Sequence, residues 1–299
     1  MNNVQIVEVG PRDGLQNEKE IVPVEAKIQL INKLAASGLK RVEATSFVNP
    51  KWIPQLADAE EVLQGITRRT DVTFSALVPN LRGLERAAAS GLTEIALFMS
   101  ASESHNQKNI NKSIDDTFPI LREVAREAQA LGLRVRGYVS TVFGCPYEGR
   151  VPVENSRRVT HALLEMGVYE VSLGDTIGVA TPKQVHEIIG ELVKDVTTER
   201  LAGHFHDTRG TGLANVVAAL HEGIRTFDSS VGGLGGCPYA PGAAGNISTE
   251  DLVYMLHGMD YETGVDLDLV TLAGAYIQEQ LGRELTSKVL KASLAARSV

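Results

Sequence analysis

The sequence has few cysteines, no long apolar run and no surplus of positive charge, and each absence disfavours a class of protein. Two cysteines, Cys145 and Cys237, are too few for a disulfide framework, and no Cys-x-x-Cys pair suggests structural zinc. No apolar run approaches the roughly 20 residues of a membrane-spanning helix, so we expect no membrane partner. The net charge of −8 offers no basic stripe, so we expect no nucleic-acid partner.

Two further absences narrow the fold class and the location. No Gly-x-Gly-x-x-Gly fingerprint follows the first predicted strand, which disfavours a dinucleotide-binding fold. The first nine residues run into that strand without a signal or transit segment, which predicts a cytoplasmic protein.

One local pattern occurs five times: helical spacing of apolar residues stops at a glycine, an apolar residue follows, and a β-rich run begins. The glycines are Gly38, Gly91, Gly132, Gly167 and Gly223. Eight strands are predicted at residues 4–9, 41–47, 72–78, 94–100, 134–141, 170–174, 201–206 and 226–231. Strands that alternate with helices predict a parallel sheet, and eight repeats favour a closed (β/α)8 TIM barrel. We therefore predict a single catalytic domain, residues 1–299, with additional C-terminal helices after Asp266.

Two histidines lie one residue apart on the seventh predicted strand, so the side chains of His204 and His206 point to the same face. An isolated His-x-His can equally be a hydrogen-bonded core pair. Barrel active sites lie at the C-terminal ends of the strands, here called the barrel mouth, where Asp13 and Asn246 follow strands 1 and 8. Because strands 7, 8 and 1 are neighbours in a closed barrel, these four side chains could surround one cation. Such ligands suit Mg²⁺, Mn²⁺ or Zn²⁺, although Asp13 alone could be a turn residue.

A glycine-rich segment, residues 232–246, follows strand 8 and is a second concentrated signal. Its glycine density predicts positive φ angles or close backbone approach to a ligand, as in an active-site loop. This loop carries Cys237 beside the candidate metal ligands. Cys145 follows strand 5, farther around the barrel, so we favour Cys237 as the reactive thiol.

Four segments resemble the 3-hydroxy-3-methylglutaryl-CoA lyase family, namely residues 9–18, 174–178, 203–208 and 232–246. Arg-Asp-Gly with His-x-His is shared by a wider group of barrel metallolyases and Claisen synthases. Gly-Leu-Gly-Gly-Cys-Pro-Tyr-Ala at residues 233–240 is the discriminating segment. The resemblance implies cleavage of 3-hydroxy-3-methylglutaryl-CoA to acetyl-CoA and acetoacetate, in leucine catabolism and ketone-body formation.

The resemblance also implies roles for individual residues. Mg²⁺ or Mn²⁺ would be held by Asp13, His204, His206 and Asn246. The implied catalytic residues are Cys237 as acid or base, Arg12 against the enolate oxygen, and Asp175 with His204 as a proton relay. The implied partners are a small-molecule acyl-CoA substrate and a second copy of the chain in a homodimer.

Substrate contacts are predicted for five residues of the mouth: Arg12, Gln16, Lys19, Glu43 and Asn109. Gln16 and Glu43 could equally make hydrogen bonds within the mouth, and Lys19 could face water. Asn109 belongs to a predicted loop, residues 104–112, that is a candidate for the phosphates of the acyl carrier. A solvated helix cap is the alternative for this loop.

Two other functions remain open from the residues. A Claisen-type synthase or aldolase of the same metal barrel group would act on a 2-oxo acid and tolerate replacement of Cys237. A catalytically silent barrel would bind metal without turnover, which the combination of Arg12, Asp175 and Cys237 disfavours.

Overall fold

Eight parallel strands form one closed barrel in the computed structural model, which describes residues 2–235 and 245–297. The strands are β1 Gln5–Glu8, β2 Arg41–Ser46, β3 Thr73–Leu77, β4 Glu94–Ser100, β5 Arg134–Ser140, β6 Val171–Asp175, β7 Leu201–Phe205 and β8 Thr226–Ser229. Each strand pairs in parallel with the next, and β8 pairs with β1, which closes the sheet. The predicted TIM barrel is therefore confirmed.

Helices connect the strands and cover the outside of the barrel. They are α1 Val24–Ala36, α2 Ala59–Gly65, α3 Leu81–Ala89, α4 Glu103–Ile110, α5 Ile114–Ala130, α6 Val153–Glu165, α7 Pro182–Leu192, α8 Gly212–His221, α9 Thr249–Gly258, α10 Leu267–Leu281 and α11 Lys288–Arg297. Helices α9 to α11 follow β8, and α10 and α11 are the additional helices predicted after Asp266. Within the described residues, no helix combines the length and the apolar character needed to cross a bilayer.

Left-handed glycines end the helices at the predicted positions. All five glycines have positive φ, between 71° and 96°, at Gly38, Gly91, Gly132, Gly167 and Gly223. At Gly38 a Cβ atom would also lie 2.1 Å from the carbonyl oxygen of Gly264, so a side chain has no room there. The glycines that predicted the alternation of helices and strands therefore adopt the left-handed backbone conformation that ends each helix.

Element boundaries differ from the prediction by a few residues. β7 ends at Phe205, so His206 lies just past the strand, in an isolated bridge with Asn246. β8 ends at Ser229 because the chain turns into a short 3-10 helix, Val231–Gly233, whose central glycine has a φ of 67°.

The predicted loop at residues 104–112 is wrong for most of its length, because helix α4 covers it up to Ile110. The side chain of Ser102 caps this helix by accepting the backbone N–H of His105 at 3.1 Å. A Ser at the N-cap is a common helix start. Asn109 therefore lies in the last turn of a helix and not in a loop.

Charged side chains fill the barrel interior at the N-terminal ends of the strands, here called the barrel floor. Arg41 Nη2 lies 2.9 Å from Glu170 Oε1 and 3.7 Å from Glu94 Oε1. Tyr169 donates its hydroxyl to Glu94 Oε2 at 2.8 Å and also meets the Arg41 guanidinium. Opposite charges thus compensate one another at this end, which lies opposite the barrel mouth.

Candidate active site

A cavity of about 680 Å³ opens at the barrel mouth. The predicted site residues that line it are Arg12, Asp13, Gln16, Asn109, His204 and His206. The apolar and aromatic residues that line it are Val48, Trp52, Ile53, Leu77, Phe98 and Tyr138, among others. A mostly apolar cavity with a few convergent polar groups is typical of a small-molecule site.

Asp13, His204 and His206 converge on this cavity. One potential ligand atom from each lies within 4.8 Å of the other two. The Nε2 atoms of His204 and His206 are 3.3 Å apart, and His204 Nε2 is 3.9 Å from Asp13 Oδ2. Asp13 reaches this position because β1 is followed by a single π-helical turn, Gly10–Gly14.

The donor set fits a divalent cation. Asn246 lies beside the three residues, and its Nδ2 donates to Asp13 Oδ2 at 2.8 Å. Within residues 2–235 and 245–297, neither the buried Oδ1 of Asn246 nor the buried Nδ1 of His206 has a hydrogen-bond partner. Such orphaned polar atoms are uncommon in proteins and need an explanation. Carboxylate, imidazole and amide groups that gather in this way suit a divalent cation.

Electrostatics favour the protonation states that a cation requires at Asp13 and His206, while the pKa of His204 shifts the other way. Burial lowers the pKa of His206 to about 4, and the neighbouring His204 adds to the effect, so this imidazole is neutral near pH 7. Burial would also lower the pKa of His204, but the hydrogen bond and the charge of Asp228 outweigh it and raise the pKa. Burial would raise the pKa of Asp13, but Arg12 and both histidines lower it overall, so the carboxylate is ionised.

Arg12 is held at the cavity by Glu43. Its Nε and Nη2 donate to Glu43 Oε2 at 2.9 and 2.8 Å, and its Nη1 donates to Asp13 Oδ1 at 2.7 Å. Tyr138 donates its hydroxyl to the same Glu43 oxygen at 2.9 Å. Glu43 is completely buried and is not among the described residues that line the cavity; its described partners are Arg12 and Tyr138. Gln16 does line the cavity and donates to Asp13 Oδ1 at 3.1 Å.

Asp175 is the last residue of β6 and is completely buried. Its carboxylate accepts the backbone N–H groups of Val179 and Ala180 at 2.9 and 3.1 Å. Burial raises the pKa of Asp175 to about 6. The carboxylate that faces His204 Nδ1, at 3.0 Å, belongs to Asp228.

Lys19 and the two cysteines remain to be placed. Lys19 is exposed and is not among the described residues that line the cavity. Cys237, the predicted reactive thiol, lies outside the described residues. Cys145 is buried, and its sulfur accepts a hydrogen bond from the Ser102 hydroxyl at 2.9 Å.

Asp228 and Tyr138 are site residues that the sequence reasoning missed. Both lie on strands with their side chains in the barrel interior, where Asp228 meets His204 and Tyr138 meets Glu43. A charged residue inside a β-rich run was the available signal for Asp228, because an inward-facing carboxylate in a barrel needs a partner.

The sequence matches the HMGL-like family over residues 3–277. This chain belongs to that family. Among family members, the hydroxymethylglutaryl-CoA lyase of Bacillus subtilis is 54% identical over 288 residues, which cover 96% of each chain.

Solved structures of HMGL-like proteins agree with this assignment. The crystal structure of the Bacillus subtilis HMG-CoA lyase is similar with a TM-score of 0.97 and 53% identity, over 98% of this chain and 99% of that one. An HMG-CoA lyase from Acinetobacter baumannii, in complex with coenzyme A and 3-methylmalate, is similar with a TM-score of 0.93 and 42% identity. That match covers 97% of this chain and 95% of the other. The predicted resemblance to hydroxymethylglutaryl-CoA lyases is confirmed, and the chain is an enzyme of this kind.

Proposed function

We propose that this enzyme cleaves 3-hydroxy-3-methylglutaryl-CoA to acetyl-CoA and acetoacetate, with Mg²⁺ or Mn²⁺ held by Asp13, His204, His206 and Asn246. The observation that carries the proposal is the convergence of the first three side chains, within 4.8 Å, on a cavity of about 680 Å³. The 54% identity to a hydroxymethylglutaryl-CoA lyase supports the choice of substrate.

The wider context is part of the same proposal. We propose that residues 1–299 act as one catalytic domain, that the enzyme works as a homodimer in the cytoplasm, and that it serves leucine catabolism and ketone-body formation. The support for these points is the family resemblance.

Cleavage of the C2–C3 bond requires removal of the proton on the tertiary hydroxyl and stabilisation of the acetyl-CoA enolate that leaves. The chemistry that a bound divalent ion supplies is activation of the hydroxyl and orientation of the bond. The residues contribute the protonation states that binding needs, since Asp13 is ionised and His206 is neutral near pH 7.

Arg12 is our candidate for stabilising the enolate oxygen. Burial would lower the pKa of Arg12, but Glu43 and Asp13 raise it overall, so the guanidinium keeps its charge. Glu43 accepts two of its N–H groups and Asp13 accepts a third, which fixes the group at the cavity. Loss of one such preorganised donor costs about 10²- to 10³-fold in turnover in other enzymes.

Cys237 is our candidate for the group that accepts or returns a proton. A thiol has an ordinary pKa near 8.5, so it can exchange protons close to neutral pH. Two observations support this choice. Cys237 belongs to the segment that connects β8 to Asn246, and the other cysteine, Cys145, is buried and accepts a hydrogen bond from Ser102. Asp175, whose pKa burial raises to about 6, would be the second proton carrier, and His204 would contribute to the relay as a metal ligand.

The acyl-CoA substrate would lie in the cavity with its polar end at Asp13 and Arg12. Gln16 and Asn109 line the cavity and are the proposed side-chain contacts, with Lys19 as an outer contact at the surface. The Acinetobacter baumannii enzyme, whose structure contains coenzyme A, supports a ligand of this class.

The test is release of acetoacetate from 3-hydroxy-3-methylglutaryl-CoA by chelator-stripped protein, with and without added Mg²⁺ or Mn²⁺. We expect turnover only with metal. Cys237→Ser should keep metal and substrate binding and lose most turnover. The matched variant Cys145→Ser should keep its turnover. Folded, metal-loaded protein that releases no acetoacetate would contradict the proposal and direct the search to condensation of a 2-oxo acid.

A further inference from the structure

His204 contacts a buried carboxylate through the ring nitrogen that faces away from the cavity. Its Nδ1 lies 3.0 Å from Asp228 Oδ2, while its Nε2 faces His206 Nε2 at 3.3 Å. His204 and Asp228 are register partners across β7 and β8, so the two side chains leave the sheet at the same level. The ring therefore lies between a buried carboxylate and the candidate metal site.

Asp228 is itself fixed by donors from two other strands. Arg136, on β5, donates Nη2 to Asp228 Oδ1 at 2.8 Å, and Ser172, on β6, donates its hydroxyl to Oδ2 at 2.7 Å. Arg136 and Asp228 are each at most 1% exposed. Both carboxylate oxygens accept hydrogen bonds, and the guanidinium compensates the buried negative charge.

The carboxylate decides which nitrogen of His204 carries the proton. A neutral imidazole has one N–H and one lone pair, and an ionised carboxylate can only accept. A proton on Nδ1 satisfies Asp228 and leaves the lone pair of Nε2 directed at the cavity. His206 offers a contrast, because its Nδ1 has no partner among the described residues.

We propose that Asp228, held by Arg136 and Ser172, is a positioning residue that fixes His204 as the Nδ1–H tautomer and so presents its Nε2 lone pair to the cation. The inference rests on the proposed function only for the cation on the Nε2 side. Partners of this kind behind metal-binding histidines usually contribute 10- to 100-fold to metal affinity.

The first test needs no metal. Protein labelled with ¹⁵N-histidine is stripped with a chelator, and the nitrogen and ring-proton shifts are recorded at pH 10, where imidazole is neutral. The His204 signals are assigned by their loss in His204→Gln. We expect the Nδ1–H tautomer in the unsubstituted protein and a changed tautomer ratio in Asp228→Asn. An Nε2–H tautomer, or a ratio that Asp228→Asn leaves unchanged, would overturn the proposal.

The second test is Mn²⁺ affinity, measured by competition with a chelator. We expect Asp228→Asn to bind Mn²⁺ about 10- to 100-fold more weakly and Ser172→Ala only a few-fold more weakly. Because Asp228→Asn removes one of the two carboxylates that pair with Arg136, the other being Glu170, the double variant Arg136→Gln/Asp228→Asn is measured beside it. Circular dichroism checks that each variant is folded. If Asp228→Asn or the double variant is folded and binds Mn²⁺ as tightly as the unsubstituted protein, the proposal is overturned.

The two tests separate this inference from the proposed function. Unsubstituted protein that fails to bind Mn²⁺ would refute the proposed metal site and, with it, the role of the Nε2 lone pair. The tautomer of His204 and its dependence on Asp228 are read in the metal-free protein, so that part of the inference stands or falls alone.

Discussion

The two ends of the barrel interior both bury charged and titratable side chains, but they pair them differently. At the floor a cation meets each anion, as where Arg41 Nη2 lies 2.9 Å from Glu170 Oε1. At the mouth, potential acceptors face one another, and the Nε2 atoms of His204 and His206 are 3.3 Å apart. Compensated charge inside a barrel indicates a structural role, whereas gathered acceptors indicate a site for a cation.

A continuous chain of contacts joins the two ends. Glu170 accepts from both Arg41 and Arg136, Arg136 donates to Asp228, and Asp228 faces His204. The candidate metal ligand His204 is thus connected, through Asp228 and Arg136, to the ion pairs of the floor. Substitutions at the two ends should still have different effects. Those at the mouth should weaken metal binding, and those at the floor should lower the free energy of unfolding.

The largest effect is expected at the mouth. Asp13→Asn removes the only carboxylate of the candidate ligand set, so we expect metal-dependent turnover to fall by about 10³-fold or more while the protein stays folded. Metal content after dialysis and acetoacetate release measure this. Asp195→Asn removes a carboxylate at the protein surface and is the matched control. Full metal loading in Asp13→Asn would count against the ligand set.

At the floor we expect the opposite result. Arg41→Met removes a cation that two buried carboxylates share, Glu94 and Glu170, which should lower the free energy of unfolding by about 3 kcal/mol, as measured by urea denaturation. Mn²⁺ affinity should stay within about twofold, since Arg136 still donates to Glu170 and Asp228. Unchanged stability of Arg41→Met together with weakened Mn²⁺ binding would contradict the assignment of a structural role to the floor.

Metal binding should itself stabilise the mouth. At a free Mn²⁺ concentration of 100 times its dissociation constant, we expect the free energy of unfolding to rise by about 2.7 kcal/mol. Thermal unfolding with and without Mn²⁺ measures the effect. His206→Ala should show little stabilisation at the same concentration, and an equal gain in that variant would place the ion elsewhere.

Glu250 sharpens the comparison because it is buried without an ion-pair partner among the described contacts. Both of its oxygens accept the backbone N–H of Gly232, at 3.0 and 2.8 Å, and burial raises its pKa to about 8. The folded state then keeps a proton that the unfolded chain releases near the ordinary pKa of 4.5. The stability that this proton contributes is fully present below pH 4.5 and is lost as the pH rises through 8.

We therefore expect Glu250→Gln to flatten the dependence of stability on pH. The variant should gain about 1–2 kcal/mol over the unsubstituted protein at pH 8.5 and nearly nothing at pH 4.5. Urea denaturation at several pH values gives the difference. Parallel pH curves for the two proteins would show that the carboxylate of Glu250 does not titrate in this range.

The fold could be predicted because its signals are local. Gly38 and Gly223 end helices with positive φ, and that requirement is visible in the residue type. The convergence of Asp13 with His204 could also be predicted, because closure of a barrel makes the first and last strands neighbours. Topology alone carries that step.

Other features depend on register and packing, which residue types do not reveal. Asp228 lies behind His204 because the two are paired across β7 and β8. Glu43 was expected either to contact substrate or to make a hydrogen bond within the mouth, and only the packing of the mouth shows that it is buried against Arg12. Helix α4 was predicted as a loop, with a helix cap as the alternative, because its polar composition resembles that of a loop.

The most direct test of the account is to locate Mn²⁺ by its anomalous scattering in crystals grown with the ion. The account predicts one strong peak within coordination distance of Asp13, His204 and His206, about 2.0–2.3 Å from the ligand atoms. A peak confined to another part of the molecule, or none at the mouth in crystals that contain Mn²⁺, would contradict the central claim that the gathered acceptors form a metal site.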